Sequence, residues 1–250
     1  MSKAELKNTL PLAEVFFSIQ GEGPSIGTLA LFIRTSHCNL SCPGYPCDTL
    51  EVWEKVWMRL TPQQLVDYCA CNGWINKVRK GAHIVLTGGE PTLWQPKLAL
   101  FLQRVREYTK TIPYVEIETN GTILPDPKLT YSINQFNISP KLTNSGNTFK
   151  KRFKLNVVAE WINLTWSTYR TYCLKFVVST IQDVDEVNGY LCQLREIIEV
   201  PNSNVWLMPR AGSKIELEEK SEWITKICKN EGFNFSTRLH LSIWDKATGV

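Results

Sequence analysis

Short apolar runs and longer stretches of helical periodicity alternate along this chain. An apolar run at 12–19 leads into a Gly/Pro turn, and further short runs that stop at turn signals predict buried strands. These predicted strands cover 29–35, 83–86, 114–118, 136–139, 174–178 and 205–208. Apolar residues at helical spacing predict the intervening helices, which start at 61 and cover 96–109, 157–168, 183–198 and 215–230. One more strand is expected around 237–243.

Strands that alternate with helices predict an α/β fold of right-handed βαβ units around a parallel sheet or partial barrel. No internal repeat or linker divides the sequence, so residues 1–250 are predicted to form one domain. Ligands bind at the carboxyl ends of the strands in such folds. The polar motifs that follow the predicted strands are therefore expected to gather at that edge.

Composition and charge limit the kind of protein that this sequence can encode, but they do not identify a binding partner. The 250 residues are 43% hydrophobic, with a net charge of +4, which neither requires nucleic acid nor excludes an anionic substrate. The first eight residues are charged and contain no apolar run of the kind found in signal peptides, and no later apolar run approaches the length of a membrane span. These features predict a cytoplasmic protein without membrane association, whose eight cysteines are not paired as disulfides.

Three of the cysteines lie within ten residues, directly after the strand predicted at 29–35. Cys38, Cys42 and Cys47 form the pattern Cys-x3-Cys-x4-Cys, and Gly44 permits a turn that brings the third sulfur back. This spacing predicts a metal site. Only His37 is near as a fourth ligand, and it abuts Cys38, so three thiolates favour an iron–sulfur cluster with one open iron while zinc stays an alternative.

The other cysteines are interpreted as packing residues. Cys69 and Cys71 lie in a helical stretch and point to different faces, which makes them poor partners for each other. Cys173, Cys192 and Cys228 each stand alone in apolar surroundings and are expected in the core.

Further motifs carry a family resemblance. The cysteine pattern, followed by Thr-Gly-Gly-Glu-Pro at 87–91, resembles the cluster motif and the amino-binding segment of the radical S-adenosylmethionine (SAM) superfamily, although its last spacing is two residues longer than usual. Segments 16–24, 47–49, 139–141 and 238–240 are similar to the 7-carboxy-7-deazaguanine synthase family.

The resemblance implies an incomplete (β/α)6-type radical SAM barrel with an added N-terminal strand and a C-terminal extension. It implies a [4Fe-4S] cluster on Cys38, Cys42 and Cys47, and SAM that is cleaved to a 5′-deoxyadenosyl radical. It also implies Mg²⁺ at Thr49, with Asp48 beside it.

The implied reaction converts 6-carboxy-5,6,7,8-tetrahydropterin to 7-carboxy-7-deazaguanine with loss of ammonia. The residues that would bind SAM are Gly89, Ser139, Pro140, Lys141, Met208, Pro209 and Arg210. Those that would bind the pterin are Ile19, Gln20, Gly21, Glu22, Arg34 and Thr87. A Gln/Glu pair suits the donor and acceptor edge of a pterin, and a guanidinium can clamp its carboxylate.

The resemblance further implies a homodimer and a reductant such as flavodoxin or ferredoxin, with no direct nucleic-acid binding. Two alternatives stay open. One is a radical SAM enzyme with another substrate, such as a glycyl-radical activating enzyme; the other is a zinc-bearing nucleic-acid-binding module that uses the basic run Lys150–Lys154. Glu116 and Glu118 share one face of a predicted strand, where they form either an acid/base pair or, more commonly, solvated or salt-bridged side chains.

Overall fold

A computed structural model of the protein describes residues 7–44, 54–166 and 168–245. Its strands are β1 Leu10–Ile19, β2 Leu29–Thr35, β3 Met58–Leu60, β4 His83–Gly88, β5 Val115–Thr119, β6 Gln135–Ile138, β7 Thr171–Val178, β8 Val205–Pro209 and β9 Asn234–Phe235. Its helices are α1 Pro62–Cys71, α2 Trp74–Arg79, α3 Gln95–Thr109, α4 Pro127–Thr130, α5 Phe149–Arg152, α6 Leu155–Asn163, α7 Ile181–Arg195, α8 Lys214–Glu231 and α9 Leu239–Trp244. Short 3₁₀ turns cover Gly23–Ser25, Pro91–Trp94, Thr143–Ser145 and Asn202–Asn204.

The nine strands form one sheet in the order β3-β1-β2-β4-β5-β6-β7-β8-β9. From β2 to β9 all neighbours in this order are parallel, whereas β1 runs antiparallel to both β2 and β3. The predicted parallel α/β sheet with an added N-terminal strand is therefore confirmed.

Local sequence explains where the helices start. At α1, the Thr61 hydroxyl accepts a hydrogen bond from the Gln64 backbone N–H, and the Gln64 side chain accepts one from the Thr61 N–H. Pro62 fills the first helical position, where no backbone donor is needed. The helix then buries Leu65 and Cys69, while Cys71 is exposed, which confirms that the two cysteines point to different faces.

The two faces of the sheet differ sharply in polarity. One face contributes apolar residues such as Ile33, Ile117 and Phe176 to the main core against the helices. We call the opposite face the inner face. Because side chains alternate along a strand and register partners share a face, the inner face carries a polar set. Its members include Arg34, Thr87, Glu116, Glu118, Asn137 and Lys175.

Two expectations are wrong. The strand predicted around 237–243 is replaced by α9, because the Leu239 N–H donates to the Gly21 carbonyl (2.8 Å) and Leu241 packs against Ala211 and Leu217. Cys192 lies exposed on α7, whereas Cys173 and Cys228 are buried as expected. No helix in the described ranges is both long and apolar enough to cross a lipid bilayer.

Candidate active site

The cysteine loop follows β2 at the carboxyl edge of the parallel strands. His37 (φ 72°) and Cys42 (φ 45°) adopt left-handed backbone conformations that turn the chain. Cys38 and Cys42 lie close enough for their charges to interact. The predicted ligands Cys47 and Thr49, with Asp48 between them, lie outside the described residues.

Amide groups surround the two described sulfurs. Asn147 Nδ2 lies 3.2 Å from Cys42 Sγ, and Asn120 Nδ2 lies 3.9 Å from Cys38 Sγ, which also accepts a bond from the Leu40 N–H (3.4 Å). Burial raises the pKa of Cys38 to about 11. A metal ion would supply the positive charge that favours the thiolate, and amide donors to sulfur are typical around iron–sulfur clusters. These donors fit an iron–sulfur group, and no group of three His, Cys, Asp or Glu in the described ranges forms a competing metal site.

A second loop holds the cysteine loop in place. The Gly44 N–H donates to the Ser145 carbonyl (2.9 Å). A Cβ atom at Gly44 would lie 2.2 Å from the Asn144 carbonyl oxygen, so only glycine allows this contact. Asn147, which reaches Cys42, belongs to the same second loop.

Gly89 packs directly on the cysteine loop. A Cβ atom there would lie 2.3 Å from the His37 carbonyl oxygen and 2.9 Å from Cys38 Cβ. The neighbouring Glu90 N–H donates to the same His37 carbonyl (2.9 Å). The glycine is thus required by contact with the loop, a reason that the sequence did not suggest.

Glu90 joins the ends of β4 and β5. Its fully buried carboxylate accepts hydrogen bonds from the Thr92 N–H (3.0 Å) and hydroxyl (2.6 Å), the Thr119 hydroxyl (2.8 Å) and the Asn120 N–H (2.8 Å). Burial nevertheless raises the pKa of Glu90 above its usual value. The carboxylate therefore positions Asn120, which in turn reaches Cys38.

The other predicted SAM residues follow β6 and β8. The Ser139 N–H donates to the Thr119 carbonyl (2.7 Å), and Lys141 Nζ donates to the Ser139 hydroxyl (3.1 Å). Lys141 is also close enough to Cys38 to oppose the rise in its pKa. Gly89, Ser139, Pro140 and Lys141 thus lie near the cysteine loop, whereas the segment Met208–Arg210 lies two strands further along the sheet.

Four charged side chains on and beside the inner face form what we call the inner ion cluster: Glu22, Glu118, Lys175 and Arg238. Lys175 Nζ lies 2.7 Å from Glu22 Oε2 and 3.0 Å from Glu118 Oε2, and Arg238 Nε lies 3.3 Å from Glu22 Oε1. The Lys175 side chain is only 4% exposed. The cluster thus combines two carboxylates with two cations.

The pKa values of this cluster follow from burial and charge. Burial alone would raise the pKa of Glu22, but Lys175 and Arg238 hold it well below its usual value. Burial raises the pKa of Glu118 more than Lys175 lowers it. Burial alone would lower the pKa of Lys175, but the two carboxylates hold it well above its usual value.

The predicted pterin residues approach the inner face from two sides. Because β1 is antiparallel, its end at Ile19 pairs with Leu29 at the start of β2, away from the cysteines. The buried Gln20 still reaches Glu118 through Nε2 (3.3 Å), and its Oε1 accepts the Gly21 N–H (2.9 Å). The motif Gln20–Glu22 therefore lies at the amino edge of the parallel strands and not at the expected carboxyl edge, with the Gln20 and Glu22 side chains directed to the inner face.

Arg34 and Thr87 are register partners on β2 and β4. Arg34 Nε lies 2.9 Å from Glu14 Oε2, so this guanidinium already has a carboxylate partner. Burial lowers the pKa of His240, and Glu22 raises it, whereas Arg238 and Arg34 lower it further. His240 Nδ1 would also lie 2.6 Å from a Cβ atom at Gly21.

Sequence reasoning did not assign Lys175 or Arg238 to the site. A single cation within the apolar strand 174–178 was the available signal for Lys175. The two glutamates of β5 have polar partners: Glu118 forms a salt bridge with Lys175, and Glu116 Oε1 lies within hydrogen-bond distance of His83 Nδ1 (2.7 Å). This arrangement agrees with the commoner of the two interpretations of that pair.

Comparison with known proteins identifies the family. No family model matches the chain. It is 30% identical over 237 residues to the 7-carboxy-7-deazaguanine synthase of Pyrobaculum aerophilum, covering 94% of this chain and 95% of that protein. The chain belongs to the 7-carboxy-7-deazaguanine synthase family. The family member from Halobacterium salinarum is 29% identical over 254 residues, covering 95% of this chain and 91% of that protein.

A solved structure shows the same fold. The crystal structure of QueE from Escherichia coli matches with a TM-score of 0.68 at 21% sequence identity, covering 96% of this chain and 100% of that chain. The incomplete α/β barrel expected from the family resemblance is thereby confirmed.

Proposed function

We propose that this protein is a radical SAM lyase that converts 6-carboxy-5,6,7,8-tetrahydropterin to 7-carboxy-7-deazaguanine with loss of ammonia. The observation that carries this proposal is the direct packing of Gly89 and Glu90 on the loop that presents Cys38 and Cys42. This contact brings together, at one edge of the sheet, the two motifs on which a radical SAM site depends. Similarity over more than nine-tenths of both chains to proteins named 7-carboxy-7-deazaguanine synthase supports the choice of reaction.

Cys38, Cys42 and Cys47 would hold the [4Fe-4S] cluster. When bound, the cluster and SAM supply a 5′-deoxyadenosyl radical. Lys141 interacts electrostatically with Cys38, and its ammonium group suits the SAM carboxylate. Ser139 and Pro140 beside it would complete this part of the SAM site, with Met208, Pro209 and Arg210 contributing from the end of β8.

The inner face would bind the pterin. Glu22 stays ionised because Lys175 and Arg238 surround it, so it offers a fixed acceptor to the N–H groups of a pterin edge. Gln20 is fixed beside it through its bonds to Gly21 and Glu118. Side chains held in this way need little rearrangement on binding, which favours a precise substrate orientation.

Arg34 would clamp the substrate carboxylate, with Thr87 adding a hydroxyl and Ile19 and Gly21 completing the wall. Thr49 would bind Mg²⁺ together with oxygen atoms of the substrate. The homodimer, the flavodoxin or ferredoxin reductant, the cytoplasmic location and the single domain over 1–250 stay predictions.

Anaerobic turnover tests the reaction. The protein reconstituted with iron and sulfide is incubated with the carboxytetrahydropterin, SAM, Mg²⁺ and dithionite, and the products are identified by mass spectrometry. We expect both 5′-deoxyadenosine and 7-carboxy-7-deazaguanine. Zinc uptake without visible absorbance, or no 5′-deoxyadenosine, would contradict the proposal.

Replacing Glu22 separates this substrate from others. Glu22→Gln should still form 5′-deoxyadenosine, while production of the deazaguanine falls about 100-fold because the charged acceptor is lost. Glu218→Gln, on the exposed side of α8, serves as the matched control and should keep full activity. Coupled production that is unchanged in Glu22→Gln would exclude this residue from the pterin site and favour another substrate.

A further inference from the structure

A basic groove opens on the surface beside the cysteine loop. It encloses about 450 Å³. Its lining includes Asn39, Leu40, Thr122, Lys150, Lys151 and Lys154. Three lysines and no carboxylate line it, so the groove presents a concentrated positive charge.

The basic run at 150–154 divides into two parts with different roles. Arg152 points inward, where its guanidinium donates to the Lys141 carbonyl (3.2 Å) and pairs with Glu186 (2.7 Å). Lys150 and Lys151 are exposed, and no ion pair involves them or Lys154 in the part of the chain that the structure describes. Unlike Arg152, the lysines of the groove therefore form no ion pair that stabilises the fold within the described ranges.

An exposed aromatic ring lies next to these lysines. Phe149 is 61% exposed and stacks on Phe153 with ring centroids 4.3 Å apart. An apolar contact point within a charged rim is the usual composition of a protein-binding surface.

The wall of the groove is connected to both described cluster cysteines. The Asn39 side chain donates to the Thr122 hydroxyl (2.7 Å) and accepts from Asn120 Nδ2 (2.9 Å), which also lies 3.9 Å from Cys38 Sγ. The segment that carries the lysines begins just after Asn147, which reaches Cys42 Sγ. A molecule bound in the groove would thus lie one or two side chains from the sulfurs.

We propose that this basic groove is the docking surface for an acidic one-electron carrier protein that reduces the cluster, an inference that rests on the proposed radical SAM function. Charge complementarity identifies the carrier as acidic, and the connection to Cys38 and Cys42 identifies it as a redox partner. In each encounter the carrier is oxidised by one electron and the bound cluster is reduced by that electron; no covalent bond forms or breaks.

The test reverses the charge of the groove. The variant Lys150→Glu/Lys151→Glu is compared with Lys226→Glu/Lys229→Glu, which changes the net charge equally on exposed positions of α8, a helix packed against β8 and β9. The helix α5 is a single turn, in which glutamate near the N-terminus is electrostatically favourable, so the groove variant should fold normally. Binding of a purified acidic flavodoxin is measured by biolayer interferometry, with and without the cluster, in about 0.02 M and about 0.5 M salt.

At low salt the groove variant should bind flavodoxin about tenfold more weakly than the wild type, and this difference should shrink at high salt. The control should bind like the wild type. Zero-length carbodiimide cross-linking should join flavodoxin carboxylates to Lys150, Lys151 or Lys154 of the wild type. With dithionite as reductant, all three proteins should form 5′-deoxyadenosine at the same rate. With reduced flavodoxin at subsaturating concentration, the groove variant alone should form 5′-deoxyadenosine about tenfold more slowly than the wild type.

Flavodoxin binding that is equal in all three proteins, together with normal turnover in dithionite, would overturn the docking surface and leave the reaction standing. Absence of 5′-deoxyadenosine from the wild type with dithionite would overturn the proposed function instead. Lysine-dependent retention of a short RNA duplex, with no flavodoxin binding, would overturn the docking proposal in favour of a nucleic-acid site.

Discussion

Replacement of Lys175 by methionine would test what holds the inner ion cluster together. Methionine keeps most of the side-chain volume but removes the ammonium that lies 2.7 Å from Glu22 and 3.0 Å from Glu118. Removing one partner of a buried ion pair costs about 3–5 kcal/mol, because the remaining charge stays buried without compensation. We therefore expect Lys175→Met to lower the free energy of unfolding by about 3–5 kcal/mol near neutral pH.

The pH dependence gives this prediction a distinct signature. In the wild type, Lys175 has a raised pKa, so its contribution is fully present below its usual pKa of 10.5 and is lost as the pH rises through the folded value. Glu22 has a lowered pKa, so its contribution is present above its usual pKa of 4.5 and is lost as the pH falls through the folded value. Both contributions are therefore complete between these two usual values.

The variant should behave differently in that window. Without the ammonium, burial raises the pKa of the carboxyls at Glu22 and Glu118, so the variant loses stability as the pH rises through those raised values. The deficit relative to the wild type should be larger at pH 8 than at about pH 5.5. Adding Glu118→Gln should recover part of it, because one buried charge is then removed.

Urea denaturation followed by tryptophan fluorescence measures the effect at both pH values. Lys226→Met is the control: this lysine is 70% exposed and pairs only with Glu222 among the ion pairs of the described ranges, so its loss should cost less than about 0.5 kcal/mol. A loss below about 1 kcal/mol for Lys175→Met at pH 8, or a deficit that does not shrink at lower pH, would refute the reasoning.

Two further predictions concern the cysteine loop. Gly89→Ala places a methyl group 2.3 Å from the His37 carbonyl oxygen and should reduce iron incorporation several-fold. The control Gly189→Ala, with open space around the added methyl group, should leave the iron content unchanged. Equal iron content in both variants would contradict the role assigned to this contact. Asn147→Leu removes the amide that lies 3.2 Å from Cys42 Sγ and should make the cluster harder to reduce. A redox titration should then give a more negative midpoint potential. An unchanged midpoint potential would show that the amide does not act on the cluster.

The sheet could be predicted largely because its strands are short, apolar and bounded by turn residues. Periodicity located the strands that became β2, β4, β5, β6, β7 and β8. It could not give the direction of β1, because antiparallel and parallel neighbours share the same alternation. The edge at which Gln20 and Glu22 lie therefore became known only from the register of β1 against β2.

The C-terminal segment shows a second limit. The apolar residues between 237 and 243 suit a strand, but Leu239 bonds to Gly21 and Arg238 to Glu22, and these contacts direct the chain away from the sheet. No local pattern contains this information, because the partners lie more than 200 residues away.

The candidate site likewise has one part that could be predicted from the sequence and one part that could not. The cysteine loop and the Gly-Gly-Glu-Pro segment are contiguous motifs, so the sequence displays them directly. The inner ion cluster is assembled from residues that are far apart in sequence: Lys175 follows Glu22 by 153 positions and Glu118 by 57. Only the folded sheet brings these charges together.

The bond between Glu22 and Arg238 also bears on how the protein matures during synthesis. These residues are 216 positions apart, so Arg238 becomes available to Glu22 long after the strands β1 and β2 have been made, and later than Lys175. The hairpin of β1 and β2 involves neighbouring segments and can form early, whereas closure of the inner face must wait for the last helix. The Glu22 carboxylate therefore gains Lys175 first and its second cation, Arg238, only later, so loss of the segment around Arg238 would disturb the inner ion cluster before the main core.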